Sequence, residues 1–325
     1  MSENLIEIKN LRVYFYTDEG VVKAVDGVDL EIKRGEILGL VGESGCGKST
    51  IALAISRLIR PPGKIVSGSI MMDGVDLLKL SENEMNKVRG RKISMIFQDP
   101  TSALNPVFTV GYQVYEAIKL HQNLKGDEIW KKIIDILGKT GIPSPEVRYK
   151  NYPHQFSGGM RQRAMLAIAL SCHPQLLIAD EPTTNLDVTI QAQVLHLIRR
   201  FRDELGMSIL LITHDMGIIA MMAERVAVMY AGKIVEKAPV LEIFKNPAHP
   251  YTKALLRSIP QPHKDVEELE VIPGEVPSLI NPPPGCRFHP RCKYAMDICS
   301  KEEPKTLKIG EEHWVACHLY GGSHG

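Results

Sequence analysis

The chain has 325 residues, of which 44% are hydrophobic and 24% are charged, and these are the fractions of an ordinary globular protein. They exclude wholesale disorder, a collagen-like repeat and a disulfide-rich mini-protein. The 39 lysines and arginines nearly balance the 38 aspartates and glutamates, so the net charge is +1 and no long basic block is present to neutralise a nucleic-acid backbone. We therefore expect one large domain with a smaller one, and no nucleic-acid partner.

The N-terminal segment and the apolar runs bear on location. The first ten residues, MSENLIEIKN, carry charges inside their first apolar stretch, so we do not expect a secretory signal. The longest apolar runs, such as residues 164–172, are about half as long as a membrane-spanning helix. These features predict a cytosolic chain that does not span a membrane by itself.

Short apolar runs alternate with helical patterns before residue 247. Four of the runs are typical of buried strands in a largely parallel sheet, and they cover residues 37–41, 93–97, 176–179 and 209–213. Residues 188–206 carry apolar side chains at helical spacing. Residues 107–147 show helical patterns without an intervening strand, so we expect a helical insertion there. The pattern as a whole predicts an α/β fold.

Residues 42–50, GESGCGKST, match the phosphate-loop pattern G-x-x-x-x-G-K-S/T between a predicted strand and a predicted helix. Glycines let successive backbone N–H groups face an anion, Lys48 is placed to reach the β and γ phosphates of ATP, and the Ser49 hydroxyl is a ligand for Mg²⁺. The sequence therefore predicts an ATP site that contains the whole segment: Gly42, Glu43, Ser44, Gly45, Cys46, Gly47, Lys48, Ser49 and Thr50.

Two acidic residues follow the apolar run 176–179. Ligand sites of open α/β sheets lie at the carboxyl ends of the strands, so Asp180 is predicted to hold Mg²⁺. Glu181, one residue later, is predicted to be the general base that activates water for attack on the γ-phosphate. A plain pair of helix-capping acids is the alternative reading of these two residues.

Further motifs complete a recognisable set. Gln98 follows the run 93–97, FSGGMRQ at 156–162 opens a predicted helix, Asn185, Leu186 and Asp187 follow Glu181, and His214 closes the run 209–213. Together with the phosphate loop and the acidic strand end, these residues resemble the motifs of an ATP-binding cassette (ABC) ATPase. The resemblance implies an ABC-type core in residues 1–246, with a mostly parallel sheet, an antiparallel β subdomain and a helical subdomain at about 107–165.

The same resemblance implies roles for individual residues. Gln98 would bind Mg²⁺ and sense the γ-phosphate, and His214 would contact that phosphate and support Glu181. The signature residues would bind ATP held by the opposite subunit, and they are Ser157, Gly158, Gly159, Met160 and Gln162. Asp187 would belong to the D-loop. Phe15, flanked by Tyr14 and Tyr16, stands where the family places its adenine-stacking aromatic ring.

The C-terminal region differs in composition from the rest. It contains 11 of the 21 prolines, counted from Pro247, and four of the six cysteines lie in the last 40 residues. Residues 246–256 and 273–279 resemble the extension found on ATPase subunits of dipeptide and oligopeptide importers. We therefore predict a second domain at residues 247–325.

The resemblance to importer subunits implies a function and partners. The chain would energise peptide import from the cytoplasmic face of the inner membrane as a peripheral subunit; a nickel or other solute importer is the alternative. Its partners would be a second ABC ATPase, either a paralogue or a second copy, two transmembrane permease subunits and, indirectly, an extracytoplasmic peptide-binding protein. A DNA-repair or chromosome ATPase would need a long coiled coil or a basic groove, and neither is present.

Four cysteines, Cys286, Cys292, Cys299 and Cys317, are separated by five, six and seventeen residues. Four soft ligands in a proline-rich segment suggest a metal centre that contributes folding energy. Zinc suits four thiolates but normally uses closer pairs, whereas an iron–sulfur cluster tolerates wider spacing. The importer resemblance favours [4Fe-4S] over Zn²⁺. A histidine among His289, His313 and His318 could replace one cysteine, and free buried thiols are the remaining alternative.

Overall fold

The computed structural model describes residues 3–184, 186–258 and 272–321. The chain forms two compact units. Unit 1 contains residues 1–78 and 212–325, and unit 2 contains residues 79–211. The described part of the cysteine-rich region thus belongs to the same compact unit as the N-terminal strands.

An antiparallel sheet forms the N-terminal part of unit 1. Its strands are β1 (Asn4–Thr17), β2 (Gly20–Lys33), β4 (Gly63–Met72) and β5 (Val75–Asp76). Their order across the sheet is β2, β1, β4, β5. In the centre, Val13 of β1 lies opposite Val25 of β2 and Ile65 of β4. Val13 and Val25 are fully buried, so this face of the sheet is stabilised by β-branched side chains that pack well on a pleated surface.

A second group of strands in unit 1 includes the one before the phosphate loop. These strands are β3 (Ile37–Val41), β9 (Arg225–Tyr230), β10 (Lys233–Pro239), β11 (Thr306–Lys308) and β12 (Trp314–Ala316). β3 is parallel to β9, whereas the pairs β9–β10, β10–β12 and β12–β11 are antiparallel. Every residue of β3 and β9 is buried, which explains why both strands are apolar except for Arg225 at the start of β9. The short β11–β12 hairpin therefore extends this group of strands with residues from the cysteine-rich region.

Helices cover the strands of unit 1. They are α1 (Lys48–Ile55), α9 (Met216–Met222), α10 (Val240–Lys245) and α11 (Pro250–Arg257). α9 packs so closely on β3 that a Cβ at Gly39 would lie 2.6 Å from Ile219 Cδ1. Gly39 is therefore required by the close approach of helix and strand.

Unit 2 combines strands with most of the helices. Its strands are β6 (Ile93–Ile96), β7 (Leu176–Asp180) and β8 (Ser208–Thr213), in the order β6, β7, β8, and the chain re-enters unit 1 within β8. β6 and β7 are parallel, with Ile93 opposite Leu176. The helices are α2 (Glu82–Val88), α3 (Pro100–Ala103), α4 (Val110–His121), α5 (Asp127–Lys139), α6 (Pro145–Arg148), α7 (Gly158–Leu170) and α8 (Val188–Leu205).

The predicted elements agree closely with the observed ones. Each of the four predicted strands exists, with ends within one residue of the prediction. The helix predicted at 188–206 is α8, and residues 107–147 contain only helices α4, α5 and α6. The α/β fold is confirmed. In the described parts of the chain, no helix is both long and apolar enough to cross a membrane.

Candidate nucleotide-binding site

The segment 42–50 forms a tight loop between β3 and α1 in unit 1. Gly42 has φ of 156°, and an added Cβ would lie 2.1 Å from the carbonyl oxygen of Met229. Gly47, the N-cap of α1, has φ of 109°, and its added Cβ would lie 2.1 Å from the carbonyl oxygen of Ala24. The loop is therefore wrapped so tightly against neighbouring backbone that no side chain fits at either position.

Lys48 lies at the first position of α1 and is only 5% exposed. Its ammonium group donates hydrogen bonds to the carbonyl oxygens of Gly42, at 2.7 Å, and Glu43, at 3.1 Å. The buried Cys46 sulfur lies 3.9 Å from the same nitrogen, and burial raises the pKa of the Cys46 thiol. Ser49 lies in the first turn of α1, where N–H groups and the helix dipole favour an anion. The loop thus has the lysine, the hydroxyl and the helix N-terminus that phosphate binding needs.

The acidic strand end lies in unit 2. Asp180 is the last residue of β7 and is 5% exposed. Glu181 follows with φ of 47°, a left-handed conformation that costs a non-glycine residue about 1 kcal/mol or more. Its Oε2 accepts hydrogen bonds from Gln98 Nε2 and from the Thr184 hydroxyl, both at 2.9 Å. The structure therefore brings together Gln98 and Glu181, and the strained backbone with two donors fixes the direction of the Glu181 carboxylate.

The signature residues begin helix α7 in unit 2. Ser157 is the N-cap, and its hydroxyl accepts the Met160 N–H at 3.3 Å. A Cβ at Gly159 would lie 2.9 Å from Ile190 Cγ2, whereas a Cβ at Gly158 would meet no heavy atom within 4 Å. Ser157 and Gly158 are exposed and Gly159 is half-buried, so the helix N-terminus is open to a ligand. Gln162 is buried and donates to the Pro182 carbonyl, which connects this helix to the segment after Glu181.

Two further predicted residues lie next to the ends of secondary-structure elements. Asp187 is the N-cap of α8 and accepts the Ile190 N–H at 2.9 Å, while Asn185 lies outside the described residues. His214 directly follows β8 and is exposed in unit 1. Asp215, the next residue, caps α9 by accepting the Gly217 N–H at 2.7 Å. The sequence around His214 therefore forms a strand end and a helix start, which fixes the position of the histidine backbone.

The three aromatic residues near the end of β1 have different surroundings. Phe15 is half-buried, and its ring lies over Gly63, where an added Cβ would lie 2.6 Å from Phe15 Cε1. Tyr14 donates its hydroxyl proton to Asp26 at 2.7 Å, and burial together with that bond raises the pKa of Tyr14 to about 12. Tyr16 is 47% exposed. Tyr14 thus belongs to a polar network, and Phe15 remains the predicted adenine-stacking residue.

The four C-terminal cysteines lie in unit 1 but do not form a ligand set. Among the residues that the structure describes, no group of three or more His, Cys, Asp or Glu side chains is arranged to hold a metal ion. Cys286, Cys292, Cys299 and Cys317 are free thiols, the last two buried. Burial raises the pKa of Cys286 to about 11 and also raises the pKa of Cys292 and Cys317. The arrangement of the described side chains therefore does not support the predicted [4Fe-4S] or Zn²⁺ centre.

Two contacts of the phosphate loop were not predicted. Glu43 accepts both ends of the Arg291 guanidinium through its carboxylate and donates its backbone N–H to the Tyr251 hydroxyl. His249 caps α11, because its Nδ1 accepts the Tyr251 N–H at the start of that helix. Arg291 and Tyr251 are distant from the loop in sequence and belong to no nucleotide-binding pattern, so spacing alone offered no signal for them.

Family models and curated relatives agree on the kind of protein. Residues 25–184 match the family described as ABC transporter, and residues 235–299 match the family described as oligopeptide/dipeptide transporter, C-terminal region. The probable peptide ABC transporter ATP-binding protein y4tR of Sinorhizobium fredii is 49% identical over 315 residues, which cover 96% of this chain and 94% of that protein. The oligopeptide transport ATP-binding protein AppD of Bacillus subtilis is 49% identical over 317 residues, 97% of each chain.

Solved structures show the same fold. The ATP-binding cassette MJ0796, in a dimeric post-hydrolysis state with bound ADP and phosphate, superposes with a TM-score of 0.66 at 27% identity, covering 72% of this chain and 98% of that one. A further relative by sequence, the dipeptide transport ATP-binding protein DppD of Bacillus subtilis, is 48% identical over 318 residues, which cover 98% of this chain and 95% of that protein. This chain therefore belongs to the family of ABC transporter ATP-binding proteins that carry the oligopeptide/dipeptide transporter C-terminal region.

Proposed function

We propose that this chain is the ATP-hydrolysing subunit that energises the import of dipeptides or oligopeptides through an ABC transporter. The observation that carries the proposal is the match of residues 235–299 to the oligopeptide/dipeptide transporter C-terminal region, on a chain 48–49% identical to peptide-transport ATP-binding proteins over almost its full length. A nickel or other solute importer is the alternative, since the nucleotide-binding subunit does not touch the cargo.

In the proposed reaction, Lys48 holds the β and γ phosphates of ATP, and Glu181 removes a proton from the water that attacks the γ-phosphate. Mg²⁺, when bound, would neutralise charge on the phosphates, with Ser49, Asp180 and Gln98 as its proposed ligands. His214 would contact the γ-phosphate. The hydrogen bond from Gln98 to Glu181 supports this assignment, because it joins the proposed metal ligand to the proposed base.

The signature residues are proposed to complete the ATP site of a second cassette, either a paralogue or another copy of this chain. Their exposed helix N-terminus supports this role, because unpaired N–H groups and the positive end of the helix dipole bind anions. ATP would then join two subunits and its hydrolysis would release them. Asp187, at the N-terminus of α8, is proposed to contribute to the same dimer contact.

Replacing Glu181 by Gln tests the assigned base. The variant keeps the shape of the side chain but cannot accept a proton, so we expect hydrolysis to fall by about a hundredfold or more while ATP stays bound to a closed dimer. Steady-state phosphate release and size-exclusion chromatography with ATP measure both effects. Glu204→Gln, which removes an exposed carboxylate of α8, is the matched control and should hydrolyse ATP normally. Hydrolysis at the wild-type rate in Glu181→Gln would refute the assignment.

The helical insertion of unit 2, at residues 107–147, is proposed to dock on a transmembrane permease subunit. Aromatic rings lie close to one another on α4 and α5 and just before α4: Phe108 and Tyr112 have ring centroids 5.0 Å apart, and Tyr115 and Trp130 are 5.6 Å apart. Phe108, Tyr112 and Trp130 are each about 40% exposed. Adjacent exposed aromatics mark protein contact surfaces. Residues 99–105 would transmit the nucleotide state, and the chain would sit peripherally on the cytoplasmic face of the inner membrane.

Transport itself separates the two cargo hypotheses. The chain would be reconstituted in liposomes with its permease subunits and its second cassette. The extracytoplasmic binding protein would be added on the side of the membrane where the extracytoplasmic face of the permease subunits lies. Uptake of labelled dipeptides and tetrapeptides that depends on ATP and on Lys48 supports peptide import. Uptake of Ni²⁺ without peptide uptake would assign the alternative.

The [4Fe-4S] cluster, with Zn²⁺ as its rival, is a proposal that the observed side-chain arrangement does not support. What favours it is proximity: four of the six cysteines lie in the last 40 residues, and the Cys286 N–H donates to the Cys299 carbonyl oxygen at 2.8 Å. Iron and zinc analysis of anaerobically purified protein, with its absorption spectrum, tests the proposal. Protein free of both metals would establish four ordinary thiols.

A further inference from the structure

The C-terminal region contacts the phosphate loop within unit 1, at Glu43. The Arg291 guanidinium forms two hydrogen bonds with the Glu43 carboxylate, Nη1 to Oε2 at 2.8 Å and Nη2 to Oε1 at 3.1 Å. This two-point geometry is the strong form of an arginine–carboxylate pair. The Arg291 side chain is 5% exposed and that of Glu43 is 24% exposed. The pair is therefore much less screened by water than a surface ion pair.

Tyr251 of α11 forms a second contact with the same loop residue. Its hydroxyl accepts the Glu43 backbone N–H at 2.9 Å. Tyr251 is fully buried, and its ring centroid lies 4.6 Å from that of Tyr230 and 5.4 Å from that of Phe288. Since Lys48 donates to the Glu43 carbonyl, the N–H, the carbonyl and the carboxylate of Glu43 all have partners.

Arg291 is itself held in place. Its Nε donates to the Pro273 carbonyl at 2.9 Å, and its Nη1 donates to the Tyr230 hydroxyl at 3.3 Å. Burial by itself would lower the pKa of Arg291, but the hydrogen bonds to Glu43 and Tyr230 raise it above the ordinary value. The guanidinium is therefore a permanent positive charge, oriented toward Glu43 by partners that do not depend on nucleotide.

We propose that Arg291 and Tyr251 are positioning residues for ATP binding: both fix Glu43 in the phosphate loop, and Arg291 neutralises a carboxylate that would otherwise repel the triphosphate. The inference rests on the proposed binding of ATP by this loop. A negative side chain in a phosphate-binding loop opposes a polyanion unless a cation is paired with it, and Arg291 supplies that cation. The C-terminal extension, which contains most of the match to the oligopeptide/dipeptide transporter C-terminal region, thus also sets nucleotide affinity.

A double-mutant cycle tests the charge effect, with the Mg²⁺ complex of AMP-PNP as the probe and calorimetric titration of the full chain as the assay. Arg291→Ala should weaken AMP-PNP binding about tenfold, within the range of typical coupling between sites. In the Glu43→Gln background the same change should cost less than about threefold, because no carboxylate is left unpaired. Lys293→Ala, which removes an exposed cation of the same segment, is the matched control and should change affinity less than about twofold.

Further measurements separate positioning from folding. Tyr251→Phe keeps the ring and its packing but removes the acceptor of the Glu43 N–H, so binding should weaken about threefold while the melting temperature changes little. For Arg291→Ala, the loss should be larger for AMP-PNP than for ADP, since repulsion grows with the charge of the ligand. A general folding defect would weaken both nucleotides equally, and that result counts against the inference.

The outcomes distinguish this inference from the proposed function. If the wild-type chain binds no AMP-PNP, or Lys48→Ala binds as well as wild type, the proposed ATP site is wrong. If the wild type binds in a Lys48-dependent manner and Arg291→Ala binds equally well, the positioning role alone is wrong. The same holds if the Arg291→Ala loss is undiminished in the Glu43→Gln background.

Discussion

Glu236 of β10 connects the cassette to the C-terminal region through one buried carboxylate. Its side chain is fully buried. Its Oε1 accepts the Ala248 N–H at 2.7 Å and binds His313 Nε2 at 2.8 Å, and its Oε2 accepts the His249 N–H at 2.8 Å. A single side chain thus fixes the start of α11 and the residue before β12. We predict that substitution of Glu236 destabilises unit 1 strongly.

The magnitude follows from the groups left without a partner. Glu236→Ala leaves three buried donors unsatisfied at about 1–3 kcal/mol each, and because such losses do not add fully we expect about 4 kcal/mol in total. Glu236→Gln can keep its oxygen at the Oε1 position, but its amide then faces the His249 N–H. One bond is lost, so we expect about 2 kcal/mol.

The two tryptophans of the chain provide the assay. Trp314 adjoins His313, whereas Trp130 lies in unit 2. In a Trp130→Phe background, urea unfolding followed by fluorescence therefore reports on the surroundings of Trp314 alone. With an m-value of about 2 kcal/mol per molar, Glu236→Ala should lower the unfolding midpoint by about 2 M and Glu236→Gln by about 1 M.

Glu303→Ala is the matched control. Glu303 pairs with Lys233 at 2.6 Å, but its side chain is 60% exposed, so its removal should cost less than about 1 kcal/mol. A midpoint for Glu236→Ala within the range of this control would refute the argument that the three bonds stabilise unit 1. Equal midpoints for Glu236→Ala and Glu236→Gln would refute the assignment of donors to the two oxygens.

Two further predictions concern His249 and the loop glycines. Burial lowers the pKa of His249 to about 3, so below pH 6.5 the unfolded chain binds a proton that the folded chain does not. The free energy of unfolding should therefore fall by up to about 1.4 kcal/mol for each unit that the pH drops. His249→Asn, which keeps a helix cap, should flatten urea midpoints measured between pH 7 and 5, and parallel curves would contradict the assignment. Gly42→Ala places a Cβ 2.1 Å from the Met229 carbonyl oxygen, whereas Gly45→Ala meets no heavy atom within 4 Å. We expect AMP-PNP affinity to fall about a hundredfold or more in the first and about fivefold in the second, and equal affinities would show that loop packing is unimportant.

The strands, the phosphate loop and the helix N-caps could be predicted because each depends on residues that lie close together in the sequence. The apolar runs gave the strands to within one residue, since a strand buried on both faces tolerates few polar side chains. The phosphate loop was readable because backbone curvature requires glycine at fixed spacing, as the 2.1 Å approaches at Gly42 and Gly47 show. Ser157 and Asp187 fell at helix N-caps for a similar reason, since short polar side chains satisfy the first free N–H groups.

The sequence by itself determined the α/β fold, the loop with the phosphate-binding pattern and the family, because each depends on residue types at short, fixed spacing. Only the tertiary structure decided which residues support that loop and how the cysteines are arranged. Arg291 lies 248 residues from Glu43, and Glu236 binds His313 across 77 residues, separations at which no periodic pattern exists. The cysteine spacing predicted a metal centre, yet the described side chains form no ligand set, because ligation depends on where the sulfur atoms point and not on how far apart they lie along the chain.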